Sequence, residues 1–308
     1  MPSTPRSSRR ARRAALLALA ALVLVVGACS ADDDGENVGG GSASGSGSGS
    51  GLSEEELEGT SDDPLVNQAV EDYQAYVVSQ TEALVDDVAV FTDAVRAGDV
   101  EEAKAAFAPS RQRWEAIEPI AGLIEDIDVA VDARVDDYES PDDPGWTGWH
   151  KLEYQLWEAE DISDSAALAD QLDADIQSLA DQAADIEITP LAVARGAQEL
   201  IEEVSEGKIT GEEDRYSHTD LWDFAANVEG SQQAIELLAP ALEEADPELL
   251  AQVQEGFTEV TDGLEPYADG QGYVSYEELT DDDQASLQAA LGGLSEDLAE
   301  VPGALGLG

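Results

Sequence analysis

The chain has 308 residues and carries 69 acidic against 14 basic side chains, so its formal net charge at pH 7 is −55. A surface this acidic repels nucleic acid and anionic lipid headgroups, which argues against nucleic-acid binding, and it concentrates cations. Most of these acids are expected to form a solvated surface, so only carboxylates beside apolar or aromatic neighbours become candidates for function.

The N-terminus is predicted to be an export signal covering residues 1–28. Five arginines precede an apolar run, Ala14–Val26, that is too short to span a membrane. The signal ends in the sequence VGAC, which resembles a bacterial lipobox and whose last residue is Cys29. This resemblance implies cleavage before Cys29, lipidation of its thiol and attachment to the outer face of the cytoplasmic membrane. The alternative is an ordinary secretory signal, and either signal makes the rest of the chain extracytoplasmic.

Cys29 is the only cysteine of the chain. If it is lipidated, the protein has no disulfide, no thiolate metal ligand and no cysteine nucleophile. Residues 29–61 combine an acidic stretch with a run composed almost entirely of Gly and Ser, so they are predicted to form a flexible tether. Residues 62–308 then provide enough chain for one large domain or for two packed halves.

The folded part is predicted to be all-α, because apolar residues recur at helical spacing and no alternating strand pattern competes. The first helix is expected to end at Gly98, and Pro119 is expected to break a later helix at Glu118. A break near Thr189 would divide the domain into two helical halves of similar size. The predicted helices are Leu65–Val95, Val100–Phe107, Ser110–Pro119, Trp146–Glu160, Ala166–Asp185, Pro190–Ser205, His218–Ala239, Pro247–Glu265 and Asp281–Leu298, with a loop at Asp137–Gly145.

The chain has two histidines, and one of them, His150, begins an H-x-x-E motif that ends at Glu153. On the predicted helix both side chains share a face with Trp149, while Lys151 lies on the solvent side. An imidazole and a carboxylate at this spacing can bind one metal ion, as they do in helical bundles. A buried histidine that hydrogen-bonds Glu153 explains the same spacing, so both interpretations stay open at this point.

A metal site needs further ligands, and the sequence offers several acidic pairs. Glu115 and Glu118 lie on one helical face at the edge of a core. Glu115 is equally well placed for an ion pair with Arg111, four residues earlier. Asp128 and Asp132 form another pair at the i, i+4 spacing, which by itself is typical of a solvated helix face.

An acidic cluster over Glu212–Asp214 precedes the helix that is predicted to carry the second histidine. Carboxylates at such a place cap helix amides or stabilise the helix dipole, which is the default interpretation of Asp214. Ser217 and Asp220 resemble a capping box, so His218 is expected in the first helical turn, packed against neighbouring side chains.

Three blocks of sequence carry a family resemblance. They are Arg113–Ala121 (RWEAIEPIA), Thr147–Glu153 (TGWHKLE) and Lys208–Phe224 (KITGEEDRYSHTDLWDF), the last continuing to Asn227–Gly230 (NVEG). Together they resemble the imelysin-like family of bacterial iron-uptake proteins, of the EfeO and EfeM type. The resemblance extends over the whole predicted folded part, and the third block is long enough to be specific.

The resemblance implies two related four-helix bundles with a cleft between them, which bind iron outside the cytoplasm for delivery to a membrane permease. A haem-peroxidase-type protein is the second partner that it implies. His150 and Glu153 match the metal motif of the family. Four acids match acidic cleft positions of its members, namely Glu115, Glu118, Asp132 and Glu213. The implied cargo is iron, as Fe²⁺ or Fe³⁺, although one imidazole with several carboxylates also suits Zn²⁺ or Cu²⁺.

Two other functions are compatible with the sequence. The first is a metallopeptidase in which Glu153 or Glu118 acts as general base on a metal-bound water, since the same family carries a peptidase name. The chain has no H-E-x-x-H motif, which disfavours proteolysis. The second is an acidic surface module that binds a cationic envelope partner through charge and needs no metal.

Overall fold

The computed structural model describes residues 60–307. The predicted signal over residues 1–28, the predicted lipidation site at Cys29 and nearly all of the predicted tether lie outside the described residues. Within residues 60–307, none of the helices combines the length and the apolar composition that crossing a membrane requires.

The first half of the described domain begins with a long amphipathic helix, α1 (Pro64–Ala97). The side chain of Asp63 caps this helix and accepts a hydrogen bond from the backbone N of Leu65 at 2.8 Å. The helix ends at Gly98, whose left-handed φ of 70° carries no steric penalty for glycine. The other helices of this half are α2 (Val100–Ile117), α3 (Glu125–Asp132), α4 (Gly148–Trp157) and α5 (Ala166–Gln182).

α2 is one continuous helix, so the predicted division into Val100–Phe107 and a second helix from Ser110 is wrong. Pro109 lies inside it and removes one backbone hydrogen bond. The helix continues because its inner face is buried on both sides of the proline, and tertiary packing outweighs the local cost. The predicted break at Glu118 is confirmed, since a 3-10 helix, Glu118–Leu123, follows α2.

α3 and α4 position the residues around the H-x-x-E motif. The sequence did not predict α3, a helix of only eight residues that ends at Asp132. α4 is shorter than predicted at both ends, so Trp146 precedes the helix, and its indole N donates to the carbonyl oxygen of Ala133 at 2.8 Å. Trp149 is fully buried, and this packing directs the inner face of α4, with His150, into the interior.

The second half contains α6 (Pro190–Glu206), α7 (Asp220–Ala245), α8 (Pro247–Leu264) and α9 (Asp281–Ala304). α6 and α8 both begin with proline in the first turn, where no helical hydrogen bond is lost, and a capping side chain precedes each. α7 and α9 extend further than predicted, because they continue through Pro240 and Pro302.

His218 does not lie in the first turn of α7, so the capping-box prediction is wrong. α7 begins at Asp220 with Thr219 as its N-cap, and His218 precedes it with a left-handed φ of 59°. The cause is a competing set of hydrogen bonds. Ser217 donates to Glu153 on α4, from its backbone N at 2.7 Å and from Oγ at 2.9 Å, and so turns away from α7.

A short connection between α8 and α9 packs over the loop Gly207–Thr219, which joins α6 to α7 and is called the α6–α7 loop below. The connection contains two antiparallel strands of two residues each, Ala268–Asp269 and Gly272–Tyr273. The Tyr276 hydroxyl donates to the carbonyl oxygen of Ile209 at 2.7 Å. The backbone N of Tyr276 donates to the carbonyl oxygen of His218 at 2.9 Å. The connection therefore holds the α6–α7 loop near both of its ends.

The prediction of an all-α fold is confirmed, since the described residues are almost entirely helical. α1 packs on α2 and α5, α6 packs on α7 and α9, and α7 also packs on α1 and α2 of the first half. The halves approach each other closely at two glycines of the second half. A Cβ atom on Gly230 would lie 2.1 Å from the carbonyl oxygen of Ala116, and one on Gly196 would lie 2.0 Å from that of Pro119. A larger residue at either position would force the halves apart.

A cavity of about 500 Å³ lies between the halves. Its walls come from α1 and α2 on one side and from α7 and α8 on the other, and most of the wall residues are polar. None of the six predicted site residues, all of which fall within the described range, lines this cavity. The predicted residues therefore meet on a different face of α2 and α7.

We expect Gly230→Ala to lower the free energy of unfolding by about 1–3 kcal/mol, because its Cβ would overlap the backbone of α2. Urea-induced unfolding, followed by the helical circular dichroism signal, measures this change. A variant as stable as the wild type would contradict the close approach of the two halves.

Gly293→Ala is the matched control for this experiment. Gly293 lies exposed in the interior of α9, and a Cβ there would meet nothing within 4 Å. Replacing glycine by alanine at such a helical position raises the free energy of unfolding by roughly 0.5–1 kcal/mol. The two substitutions are therefore expected to act in opposite directions.

Candidate metal centre

Arg111 is the centre of a buried cluster of charged side chains. Its side chain has no exposed surface. Nη2 donates to Glu115 Oε1 at 2.5 Å, Nε donates to Asp223 Oδ2 at 2.9 Å, and Nη1 donates to Asp132 Oδ1. These partners lie on α2, α7 and α3, so one guanidinium connects helices of both halves.

Two further carboxylates lie just beyond hydrogen-bonding distance of the same guanidinium. Glu213 Oε1 is 3.7 Å from Nη2, and Asp214 Oδ1 is 3.8 Å from Nε. The ring of Trp149, whose centre is 5.5 Å from the guanidinium carbon, adds a cation–π contact. Burial lowers the pKa of Arg111, but the carboxylates, chiefly Asp132, outweigh burial and hold that pKa well above its ordinary value.

Lys208, at the start of the α6–α7 loop, is a second buried cation. Its Nζ donates to Glu118 Oε2 at 2.7 Å and to Glu115 Oε2 at 3.1 Å. The side-chain amide of Asn227 donates to the same two oxygens, at 2.7 Å and 2.9 Å respectively. The protein itself therefore supplies hydrogen-bond donors to Glu115 and Glu118.

His150 is 2% exposed and faces two carboxylates through Nε2. Asp132 Oδ1 lies 3.4 Å from this nitrogen, and Glu213 Oε1 lies 3.5 Å from it. Among the described residues, no side chain or backbone group forms a hydrogen bond with Nε2. A metal ion between this nitrogen and the two oxygens would satisfy all three groups.

The other ring nitrogen of His150, Nδ1, faces a second pair of acids. Glu153 Oε2 lies 3.3 Å from Nδ1, and Asp214 Oδ1 lies 3.9 Å from it. The other oxygen of Glu153, Oε1, accepts hydrogen bonds from the backbone N of Tyr216 at 2.9 Å and from the backbone N of Ser217 at 2.7 Å. The α6–α7 loop therefore orients the glutamate of the H-x-x-E motif toward its histidine.

Two groups of three side chains in the described part of the chain could hold a metal ion. They are Asp132 with His150 and Glu213, and His150 with Glu153 and Asp214. Within each group, the candidate ligand atoms lie within 4.8 Å of one another. The first group surrounds Nε2 of the imidazole and the second surrounds Nδ1, so one histidine serves both.

The two carboxylates beside Nε2 keep their negative charge. Burial raises the pKa of Asp132, but Arg111 outweighs it and brings that pKa well below its ordinary value. Burial likewise raises the pKa of Glu213, but Lys208 outweighs it and lowers that pKa. Burial and Arg111 lower the pKa of His150, but its carboxylate neighbours outweigh them and raise that pKa well above its ordinary value.

Carboxyl groups outnumber basic side chains in this cluster. The carboxyl groups are those of Glu115, Glu118, Asp132, Glu153, Glu213, Asp214 and Asp223, and the basic side chains are His150, Arg111, Lys208 and Arg134, whose Nη1 donates to Glu213. Burial is the largest cause that raises the pKa of Glu118, Asp214 and Asp223 well above the ordinary range. Protons therefore neutralise part of the cluster when no metal is bound.

The structure brings together all six residues that the sequence predicts as metal ligands. Glu115 and Glu118 pair with Lys208, whereas the other four, His150, Glu153, Asp132 and Glu213, surround the imidazole. The ion pair between Arg111 and Glu115, which the sequence offered as an alternative, is present. It is fully buried, so it is part of the cluster and not a surface pair. Asp132 is also buried, although its spacing alone indicated a solvated face.

Sequence reasoning missed several polar residues of the cluster, including the basic residues Lys208 and Arg134. Asp214 was assigned to helix capping, but its carboxylate faces His150. Asp223 and Asn227 are buried at the i, i+4 spacing on the inner face of α7, beside apolar residues such as Phe224. Polar residues on an otherwise apolar helix face are the signal that could have identified these two.

Asp128 lies half-buried on α3, one helical turn before Asp132. Burial, together with the charge of Asp132, raises its pKa from the ordinary 3.8 to about 8. Between about pH 4 and about pH 8, the unfolded chain has therefore lost a proton that the folded protein keeps. Because the folded state then binds more protons, this group makes the free energy of unfolding fall as the pH rises through that window.

We expect Asp128→Asn to be more stable than the wild type, and its advantage should grow from pH 5 to pH 8, because asparagine cannot ionise. Urea unfolding of both proteins at the two pH values measures this difference. Glu125→Gln, at an exposed position of the same helix, is the control and should show no comparable growth. An advantage of Asp128→Asn that does not change with pH would contradict the raised pKa.

Comparison with known proteins shows which family the chain matches. A sequence model of the imelysin family matches residues 69–301, which is most of the chain. Over 240 residues, the chain is 49% identical to the iron uptake system component EfeO of Escherichia coli O157:H7 and 48% identical to the proteins of that name from E. coli K12 and Shigella flexneri. These alignments cover 78% of this chain but 64% of each relative, so the chain spans less than two thirds of their length. The family resemblance predicted from the three sequence blocks is confirmed, and the chain belongs to the imelysin family.

Proposed function

We propose that the chain is the iron-binding component of an extracytoplasmic iron-uptake system and that it captures the ion at His150. One observation carries the proposal. Nε2 of His150 is buried without a hydrogen-bond partner in the described domain, and it faces the ionised carboxylates of Asp132 and Glu213. The relatives named above are iron uptake components, which supports iron as the cargo.

The charge of the cluster also favours a bound cation. Carboxylates outnumber basic side chains there, and removing carboxylates from water is costly unless their charge is neutralised. A divalent or trivalent ion would replace the protons that neutralise the cluster and would interact with several oxygens at once. The proposed site therefore binds metal in competition with protons.

The chemistry of the candidate ligands is compatible with iron. One imidazole nitrogen and several carboxylate oxygens form a mixed set that suits iron, manganese and zinc. The order of intrinsic affinities favours Cu²⁺ and Zn²⁺ over Fe²⁺, so selection of iron depends on geometry and on metal supply. Zn²⁺ and Cu²⁺ are therefore expected to bind in the laboratory as well.

The division of the ligands between two parts of the fold supports a transport role. Asp132, His150 and Glu153 belong to α3 and α4, whereas Glu213 and Asp214 belong to the α6–α7 loop. A displacement of the loop relative to the helices would separate the ligands, and it would release the ion to a partner. A closed cage formed by one element would hold the ion but could not transfer it as readily.

The location and the partners belong to the same proposal. The predicted signal with Cys29 would place the protein on the outer face of the cytoplasmic membrane, held by a lipid anchor and a flexible tether. A membrane iron permease would receive the ion, and a haem-peroxidase-type protein would be a further component. The strongly acidic surface is consistent with attraction of metal cations and disfavours nucleic acid as a partner.

We expect His150→Ala to lower the affinity for Fe²⁺ and Zn²⁺ by at least about tenfold, because the variant loses the nitrogen ligand of both candidate groups. Competition against a chelator of known affinity, with anaerobic Fe²⁺ and separately with Zn²⁺, measures the dissociation constants. Elemental analysis of the loaded protein gives the stoichiometry.

His218→Ala is the matched control, because His218 is the other histidine of the chain and belongs to neither candidate group. It should bind both metals as the wild type does. Unchanged affinity in His150→Ala would refute the proposed site, and a wild type that binds neither metal would refute the proposed function.

We expect the metal-loaded protein to show no peptidase activity. Glu153, one of the two candidate general bases, is fully buried, and its Oε1 already accepts hydrogen bonds from both nitrogen and oxygen donors of the α6–α7 loop. Glu118, the other, already accepts hydrogen bonds from Lys208 and Asn227. A general base must instead reach a metal-bound water. Incubation of the loaded protein with a peptide library, analysed by mass spectrometry, tests this expectation. Metal-dependent cleavage that Glu153→Gln abolishes would favour the metallopeptidase alternative.

A further inference from the structure

Three of the four carboxylate oxygens that face His150 are also oxygens that Arg111 approaches, the exception being Glu153 Oε2. Asp132 Oδ1 accepts a hydrogen bond from Nη1 of Arg111 and lies 3.4 Å from His150 Nε2. Glu213 Oε1 lies 3.7 Å from Nη2 of the arginine and 3.5 Å from the same imidazole nitrogen. Asp214 Oδ1 lies 3.8 Å from Nε of the arginine and 3.9 Å from His150 Nδ1. One guanidinium therefore borders the candidate ligand atoms on both sides of the imidazole.

We propose that Arg111 is the residue that sets metal affinity, because it is a resident cation that competes with the cargo ion for the same carboxylate oxygens. This inference rests on the proposed function of the site. An ion bound between His150 Nε2 and the oxygens of Asp132 and Glu213 would lie within a few ångströms of the guanidinium, and two positive charges at that distance in a buried site repel strongly. Arg111 therefore weakens binding.

The burial of Arg111 makes this competition unavoidable. Its side chain has no exposed surface, so the guanidinium cannot turn into solvent when an ion arrives. It is also held by hydrogen bonds to Glu115 and Asp223, which belong to neither candidate metal group. The arginine therefore keeps its place in both states, and only its contacts with Asp132, Glu213 and Asp214 are shared with the ion.

Competition between Arg111 and the bound ion would also favour release of the ion. When the ion leaves, the oxygens that it held do not become unpaired buried charges, because the guanidinium remains beside them. The metal-free state is thereby stabilised relative to the loaded state. A site of this kind binds a cargo ion less tightly than its ligands alone would, and the ion can be passed on.

Arg111→Met tests the inference, because methionine keeps an aliphatic stem without the charge. We expect the affinity of this variant for Zn²⁺ and for anaerobic Fe²⁺ to rise by at least about tenfold, and dissociation into an excess of chelator to slow correspondingly. The rise in Tm on addition of Zn²⁺ should also exceed that of the wild type, because the metal-free variant loses stability and regains it with the ion.

Arg113→Met is the matched control. Arg113 lies two residues away on α2, pairs with Asp87 at 2.5 Å and lines the cavity between the halves, away from the cluster. Its replacement should leave both dissociation constants unchanged. If Arg111→Met does not fold without metal, the double variant Arg111→Met with Asp223→Asn provides the measurement, since it also removes the carboxylate that bonds Nε.

The outcomes separate this inference from the proposed function. Equal or weaker metal binding in Arg111→Met, or in the double variant where that is used, would overturn the inference, because the arginine would then only position ligands. A wild type that binds no metal would overturn the proposed function itself. Tighter binding in the variant, with normal binding in Arg113→Met, is the result that supports a competing resident cation.

Discussion

The buried guanidinium of Arg111 is the interaction on which the arrangement of the domain depends. A buried guanidinium is tolerated only where carboxylates accept hydrogen bonds from its N–H groups. Because the guanidinium is planar and rigid, its N–H groups fix the positions of those carboxylates. Here they come from α2, α3 and α7, and the α6–α7 loop adds two more. These elements must therefore converge on one point. A different packing of the two halves would leave either the arginine or several acids buried without a partner.

The helices can converge on Arg111 only if they pack closely. Glycines at the helix contacts and tryptophans around the cluster make this packing possible. Gly230 lets α7 approach the end of α2, and Gly196 lets α6 approach the 3-10 helix that follows α2. In each place a backbone carbonyl oxygen occupies the space that a Cβ atom would need. Trp114 covers the cluster and donates its indole N to Asp132 Oδ2 at 3.0 Å, so an apolar wall also orients a carboxylate. Apolar walls of this kind exclude water, which strengthens every charge interaction inside them. The same exclusion makes Nε2 of His150 informative, because solvent cannot easily supply the hydrogen bond that it lacks and its neighbours are carboxylates.

Helical periodicity and family resemblance together predicted most of the fold and all of the candidate ligands except Asp214. Local pattern could not predict the centre of the cluster. Whether a pair such as Arg111 and Glu115 is a weak surface pair or a buried one depends on α7, which lies about a hundred residues further along the chain. The continuity of α2 through Pro109 and the position of His218 outside α7 have the same cause, since tertiary contacts outweigh local preferences in both places. Sequence patterns indicate the conformation that each segment prefers. The ion pairs of a buried cluster depend instead on which segments pack together in the fold.

The arrangement of the candidate ligands also bears on how an ion would be exchanged under the proposed function. Separation of the two halves would disrupt the packing at Gly230 and Gly196 and would unpair Arg111 from Asp223 across the α2–α7 contact. The α6–α7 loop carries Glu213 and Asp214 on a backbone with left-handed residues at Gly211 and His218, and the connection after α8 holds it through a few hydrogen bonds from Tyr276. Moving the segment of the loop that carries Glu213 and Asp214 would break the bonds to Glu153, and moving the whole loop would also break the buried ion pairs of Lys208 with Glu115 and Glu118. Under the proposed function, a displacement of Glu213 and Asp214 relative to α3 and α4 would exchange the ion while the packing of the two halves is kept.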